Sequence, residues 1–298
     1  MRREHCNGSC AEKRLSARFP LRTQLAFLCG PHLRQALEKS RETDGMAQAS
    51  GTDREAARLG DELAHRIEAV GREMNLPFIA VSADIGCPDP VLDPDGKPYA
   101  ETLFRWIDPN LRYWEDRGFA LRARVLHAAR VCAEPFYVSE GKLKTWRPHT
   151  SLEVFNTRDD DERFGVSGAI IAPAYLPGGV IGAVIWATPD DAVDVPTIFQ
   201  TRAEGLHMLA LKFAAVHDDL ASRRLPVTPA RLTKREIQCL KWAAMGKTDA
   251  DISEIMHISL PTVRFHITNA ARKLNVIGRP QAIYKAATLG YVGRIAGS

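Results

Sequence analysis

Thr233-Lys-Arg-Glu236, Gly246-Lys-Thr-Asp-Ala-Asp-Ile252 and Ser259-Leu-Pro-Thr-Val263 lie close together near the end of a 298-residue chain, and each reads as a helix boundary. In the first, a threonine hydroxyl and a glutamate three residues later can satisfy each other's free backbone N–H groups, the pattern of a capping box. The predicted helix runs to about Ala244, and Gly246 suits the positive φ that closes a helix. Thr248 and Asp251 repeat the box and open a second helix that ends near Met256. Ser259 caps a third, with Pro261 in its first turn, where a missing N–H costs nothing. Three capped helices with a short turn between the second and third are the parts of a helix-turn-helix.

Along the third helix Val263, Ile267, Ala270 and Leu274 recur at helical spacing and predict one buried stripe against Ile252 and Ile255 of the second. Arg264, Phe265, Thr268, Asn269, Arg272 and Lys273 then face outward. That set would also suit an ordinary solvated face. Its chemistry favours nucleic acid: guanidinium forks match guanine edges, an apolar ring suits a thymine methyl, and positive charges suit phosphates. Charge distribution points the same way. From Thr228 onward 11 Lys+Arg face 4 Asp+Glu, whereas residues 1–227 hold 29 against 32. A basic module on an acidic remainder is the electrostatic footprint of a nucleic-acid-binding domain, with chance clustering as the competing reading.

Leu232-Thr-x-Arg-Glu236, Gly246-Lys-Thr-Asp-Ala-Asp-Ile252 and Thr262-Val-Arg-Phe-His-Ile-Thr-Asn-Ala270, followed by Lys273-Leu-Asn-Val, resemble the C-terminal module of LuxR-type regulators. The resemblance implies an all-α, four-helix domain over residues 230–298. It implies base contacts by Arg264, Phe265 and Thr268, with Lys247, His266 and Lys273 near the DNA backbone and Thr262, Asn269 and Arg272 on the same surface. It also implies a fourth helix over 281–289 used in homodimerisation, a double-stranded operator read as paired half-sites, and RNA polymerase as a further partner.

Upstream, residues 1–45 are irregular in apolar pattern and precede Met46, so they are expected to be a dispensable or mis-assigned extension. A helix is predicted over Asp53–Met74, with Leu59, Leu63, Ile67 and Val70 as its apolar stripe, then a strand over Phe78–Ala83 and a loop over 84–101. A second helical region is predicted over Leu111–Ala133. Ser167–Ala174 and Val180–Thr188 flank Leu-Pro-Gly-Gly and predict a hairpin. Ile198, Leu206, Leu209 and Phe213 mark a long helix over 196–220, and residues 223–229 read as a linker.

Trp114-Glu-Asp-Arg-Gly118, Pro135-Phe136 and the segment 167–179 resemble the autoinducer-binding domain of the quorum-sensing members of the same family. The resemblance implies an α-β-α sandwich over residues 46–222, with an antiparallel sheet and a small-molecule signal held between sheet and helices. Family members use a tryptophan, a tyrosine and an Asp-Pro-Val tripeptide, with a later tryptophan after Pro-Phe. Aligning Gly118 and Pro135-Phe136 places Asn110 and Trp114 at the first two, Ala123-Arg124-Val125 at the tripeptide and Val138 at the last. Ala123 removes the carboxylate that would accept the ligand's amide N–H. A signal other than a standard acyl-homoserine lactone is therefore expected, with Trp106, Asn110, Trp114, Phe119, Ala123, Phe136 and Val138 at the pocket. Tyr137 is a further lining residue and Arg124 an anchor for a carbonyl or anion.

Other classes fit less well. No apolar run is long enough to span a membrane, which excludes that partner, and a cytoplasmic protein is expected. The six cysteines form no C-x-x-C pair, so no metal site or disulfide framework is predicted and no cofactor beyond the signal ligand. His127, Cys132, His149 and Asp159–Asp161 show no catalytic spacing, so no enzyme is expected. A phosphorylation-controlled receiver would need repeated β/α units with acidic strand ends, which are absent. The alternative kept open is a ligand-independent regulator controlled by a protein partner.

Overall fold

A computed structural model describes residues 51–87, 89–113, 123–157, 165–222 and 230–293. The expected extension (1–45) and linker (223–229) lie outside the described residues. The elements are α1 (Gly51–Glu73), β1 (Phe78–Ser82), α2 (Tyr99–Thr102), α3 (Arg124–Ala129), β2 (Phe136–Ser139), β3 (Lys142–Lys144), α4 (Thr150–Asn156), β4 (Gly168–Tyr175), β5 (Ile181–Thr188), α5 (Val195–Ser222), α6 (Lys234–Ala244), α7 (Asp249–Met256), α8 (Leu260–Lys273) and α9 (Arg279–Thr288).

The strands form one antiparallel sheet in the order β1-β5-β4-β2-β3. β4 and β5 are apolar without alternation because both their faces are covered, which is what a three-layer sandwich demands. On one face Ile79, Val81, Ile170, Ala172, Val184 and Trp186 pack with α1 and α5. The buried Trp186 indole donates to the Ile67 carbonyl at 3.0 Å, so its polar edge is satisfied where α1 crosses β5. Gly182 permits the close approach of α5, since a Cβ there would stand 2.8 Å from that of Ala214. The opposite face carries Ala80, Phe136, Val138, Ala169, Ile171, Ala183, Ile185 and Ala187 beneath α3, α4 and the segment around Trp106–Tyr113.

Several local expectations change. Leu59 is exposed, and α1 instead buries Leu63, Ala64 and Ile67. The region 111–133 is not one helix: 111–113 are non-helical, 114–122 lie outside the described residues, and α3 covers six residues. α2, β2, β3 and α4 are additions to the predicted elements, α2 taking up the last residues of the loop expected over 84–101. The β2–β3 hairpin turns on Glu140 and Gly141, both at positive φ (53° and 73°). Such turns are ordinarily marked by Asn-Gly or Asp-Gly, and glutamate in the first place conceals this one.

The C-terminal module forms as its caps predict. Thr233 accepts from the Glu236 N–H and Glu236 accepts from the Thr233 N–H; Thr248 and Asp251 do the same for α7, and Ser259 caps α8. Val263, Ile267, Ala270 and Leu274 are buried. Their partners from the second helix differ from expectation: Ile255 is exposed, while Ile252 is buried and Met256 and Ile258 pack beside it. His257 takes a left-handed conformation (φ 52°) at the end of α7, and this ends the helix so that α8 can cross it. No helix among the described residues is long and apolar enough to cross a membrane.

Candidate nucleic-acid interface and sensor face

α8 is anchored at both ends. Ser259 caps its start, and the Thr262 hydroxyl lies 2.7 Å from the Ser259 hydroxyl. At its last turn the Lys273 ammonium donates to Glu236 Oε2 at 2.8 Å, bridging to the buried capping carboxylate of α6. Between these anchors the outward surface is Arg264, Phe265, Thr268 and Arg272, all exposed, with Asn269 accepting a hydrogen bond from Arg272 at 3.1 Å. Phe265 is 62% exposed. An aromatic ring left this open on a helix anchored at both ends, between Arg264 and Thr268, has the chemistry to meet a thymine methyl. His266 is half-buried beside it, and Lys247 is exposed just before the Thr248 cap.

Lys273 thus has an internal partner that spacing along one helix does not foresee. Two further residues were missed altogether. Asp249, at the start of α7, lies 3.6 Å from the Arg264 guanidinium and 3.4 Å from that of Arg279. Arg279 also donates to the Lys247 carbonyl. A lone aspartate in a capping segment reads as a helix-terminus charge, so nothing in the linear sequence pairs it with Arg264.

In the N-terminal domain, Trp106, Ala123, Phe136 and Val138 do meet, on the sheet face floored by four alanines. The Trp106 indole N–H is buried and has no hydrogen-bond partner among the described residues. Its ring lies edge-on to Tyr113, 6.1 Å between centroids. Tyr113 accepts from the Val81 N–H at 3.3 Å, and burial pushes its phenol pKa well up, so it stays protonated. Asn110 lies elsewhere, exposed in a turn where its N–H donates to Asp108. Tyr137 is on the other face, its ring 4.8 Å from that of Phe199. Trp114 and Phe119 lie outside the described residues. Arg124 is not free to anchor a ligand: it donates to the Gly141 carbonyl at 2.9 Å and the Phe155 carbonyl at 3.3 Å, tying the β2–β3 turn to α4.

Residues 230–286 match the family model for bacterial regulatory proteins, luxR family. The chain is 43% identical over 90 residues to the quorum sensing-dependent transcriptional regulator RpaR of Rhodopseudomonas palustris, covering 30% of this chain and 37% of that one. It is 28% identical over 154 residues to the transcriptional activator SolR of Ralstonia nicotianae, covering 52% and 65%. With the transcriptional activator LuxR of Aliivibrio fischeri the identity is 24% over 196 residues, covering 66% and 76%. The match thus spans between about a third and two thirds of the length of the first two relatives. Helix order, caps and the family match coincide on the same residues, so the C-terminal module over residues 230–286 is of the kind that the luxR-family model describes.

Proposed function

We propose that this protein is a sequence-specific transcription regulator whose N-terminal sandwich binds a small-molecule signal and thereby alters the affinity of the C-terminal module for its operator. The observation that carries the DNA half is the open Phe265, set between Arg264 and Thr268 on a helix anchored at both ends. In this reading α8 lies in the major groove. Arg264, Phe265, Thr268 and Asn269 meet base edges, while Lys247, Thr262, His266, Arg272 and Lys273 line the phosphate side. Two modules, paired through α9, read two half-sites, and bound dimers present a surface to RNA polymerase.

The ligand half rests on the alanine-floored face and the unpartnered Trp106 N–H, which suits a carbonyl or hydroxyl oxygen on an otherwise apolar molecule. Ala123 supplies no acceptor. A lactone amide buried there would lose about 1 to 3 kcal/mol, at the upper end a roughly hundredfold weaker complex. The signal is accordingly of another chemical class than the standard acyl-homoserine lactones.

Two measurements test this. Binding of the full chain to duplexes selected from a random pool should weaken steeply with salt, and Arg264→Ala should cost about 1 to 3 kcal/mol on the selected duplex with the fold intact. Unchanged sequence preference in that variant removes the base-contact assignment. A thermal-shift screen against acyl-homoserine lactones and small-molecule extracts of bacterial cultures should find a stabilising compound worth about 2.7 kcal/mol at 100 times its Kd. A lactone hit overturns the argument from Ala123. A stable dimer that no compound shifts transfers control to a protein partner.

A further inference from the structure

Three helices converge on one carboxylate beside the proposed base-reading surface. Asp249 opens α7; its Oδ2 lies 3.6 Å from Nε of Arg264, just past the first turn of α8, and its Oδ1 lies 3.4 Å from Nε of Arg279, which opens α9. The Asp249 Oδ1 and Arg279 Nε atoms are shut off from solvent, and neither has a hydrogen-bond partner among the described residues. Arg279 also donates through Nη2 to the Lys247 carbonyl, which holds it in place. The Asp249 side chain is 26% exposed, and that of Arg264 is 67% exposed.

The geometry of a guanidinium makes the direction of this contact informative. Its donors form a rigid planar fork, and a bidentate contact with guanine O6 and N7 uses two of them at once. A carboxylate beside Nε leaves the end edge of the fork, where the two Nη groups donate side by side, available to a base. It also restricts a long, exposed side chain to fewer rotamers before binding, so less freedom is lost on docking. We infer that Asp249 is a positioning residue for sequence readout: it holds Arg264 by its Nε edge and aims the Nη fork at a guanine. This rests on the reading of α8 as the base-contacting helix. Arg279, whose charge matches the second lobe of the same carboxylate, keeps Asp249 from turning away.

A merely structural role for Asp249 makes a different prediction. An acidic residue in a first helical turn is favourable to the helix dipole by itself, and removing it would change stability without touching base preference. The experiment is competition binding by the full chain. It uses the duplex selected from a random pool by the wild type, variants of it with each G·C pair replaced, and a random-sequence duplex. The chains are wild type, Asp249→Asn, Asp249→Glu, Arg264→Ala and the Asp249→Asn/Arg264→Ala pair, each checked for an unaltered melting transition. Asp249→Asn is expected to lower the preference for one G·C pair by roughly five- to tenfold, part of what a bidentate contact discriminates. Binding to the random duplex should hold or strengthen, because a negative charge near phosphates is gone. Asp249→Glu keeps the charge but displaces it, and should lose preference without the gain in random binding. In the Arg264→Ala background Asp249→Asn should have no further effect on preference. Loss of preference in that background too, or none in the single variant while Arg264→Ala is sensitive, overturns the inference. An Arg264→Ala chain that keeps its preference overturns the base-contact reading and this inference with it.

Discussion

Glu236→Ala is expected to destabilise the C-terminal module by about 2 to 3 kcal/mol, from the lost cap of α6 and the lost charge-assisted hydrogen bond to Lys273. Glu236 is only 3% exposed. It accepts from the Thr233 N–H at 2.7 Å and from Lys273 at 2.8 Å, so one carboxylate caps α6 and fastens the last turn of α8. Burial by itself would raise its pKa, but the hydrogen bonds from Lys273 and Thr233 and the attraction of Lys273 outweigh that and hold it below the ordinary glutamate value. The sign follows for a depressed acid. Its stabilisation is present above the unfolded value, about 4.3, and is lost as pH falls through the lower folded value. Urea denaturation of the full chain, with hydrogen exchange at the α6 and α8 amides, measures the effect. Lys273→Ala strands the same carboxylate and should weaken DNA binding partly by loosening α8. A Lys273→Ala chain with unchanged α8 exchange would confine that residue to phosphate contact.

The N-terminal domain should lose about 3 kcal/mol of stability as pH falls from 6.5 to 4, through one histidine. His217 of α5 is 8% exposed, and Phe213 and Tyr99 pack on its ring at 4.3 and 5.8 Å between centroids. Its Nε2 has no partner among the described residues, and a Cβ on Gly60 of α1 would lie 3.2 Å from it. Burial lowers its pKa to about 4. Asp61, next to Gly60 on α1, accepts from the Tyr99 hydroxyl at 3.1 Å, and His217 forms no ion pair among the described residues. A base with a depressed folded pKa is neutral in the native state. Stability is therefore full above pH 6.5, declines toward pH 4 as the unfolded chain takes up a proton, and loses no more to this group below that. The check is chemical denaturation across this range: His217→Phe should flatten the slope. An unchanged slope would place the acid sensitivity elsewhere.

Much of the C-terminal module was determined by residues a few places apart. Thr233 with Glu236, Thr248 with Asp251 and Ser259 with Thr262 set three helix starts through hydrogen bonds that span three residues, so local chemistry suffices. The hairpin of β4 and β5 and the long α5 were legible for the same reason, each being a run longer than one period with a clear breaker. Short elements carry less than one full period, and α2, β2, β3 and α4 went unread, with Glu140 disguising the turn. The tertiary structure alone decided which distant groups meet. Trp186 finds the Ile67 carbonyl 119 positions away, Glu236 finds Lys273 across a helix crossing, and Asp249 finds Arg264. It also turned Ile255 outward and Met256 inward, and made Arg124 a clamp on two backbone carbonyls instead of a ligand anchor. A helix's own periodicity says which face is apolar. Where neighbouring helices cross that face settles which of its flanking residues are covered and which charges come within reach.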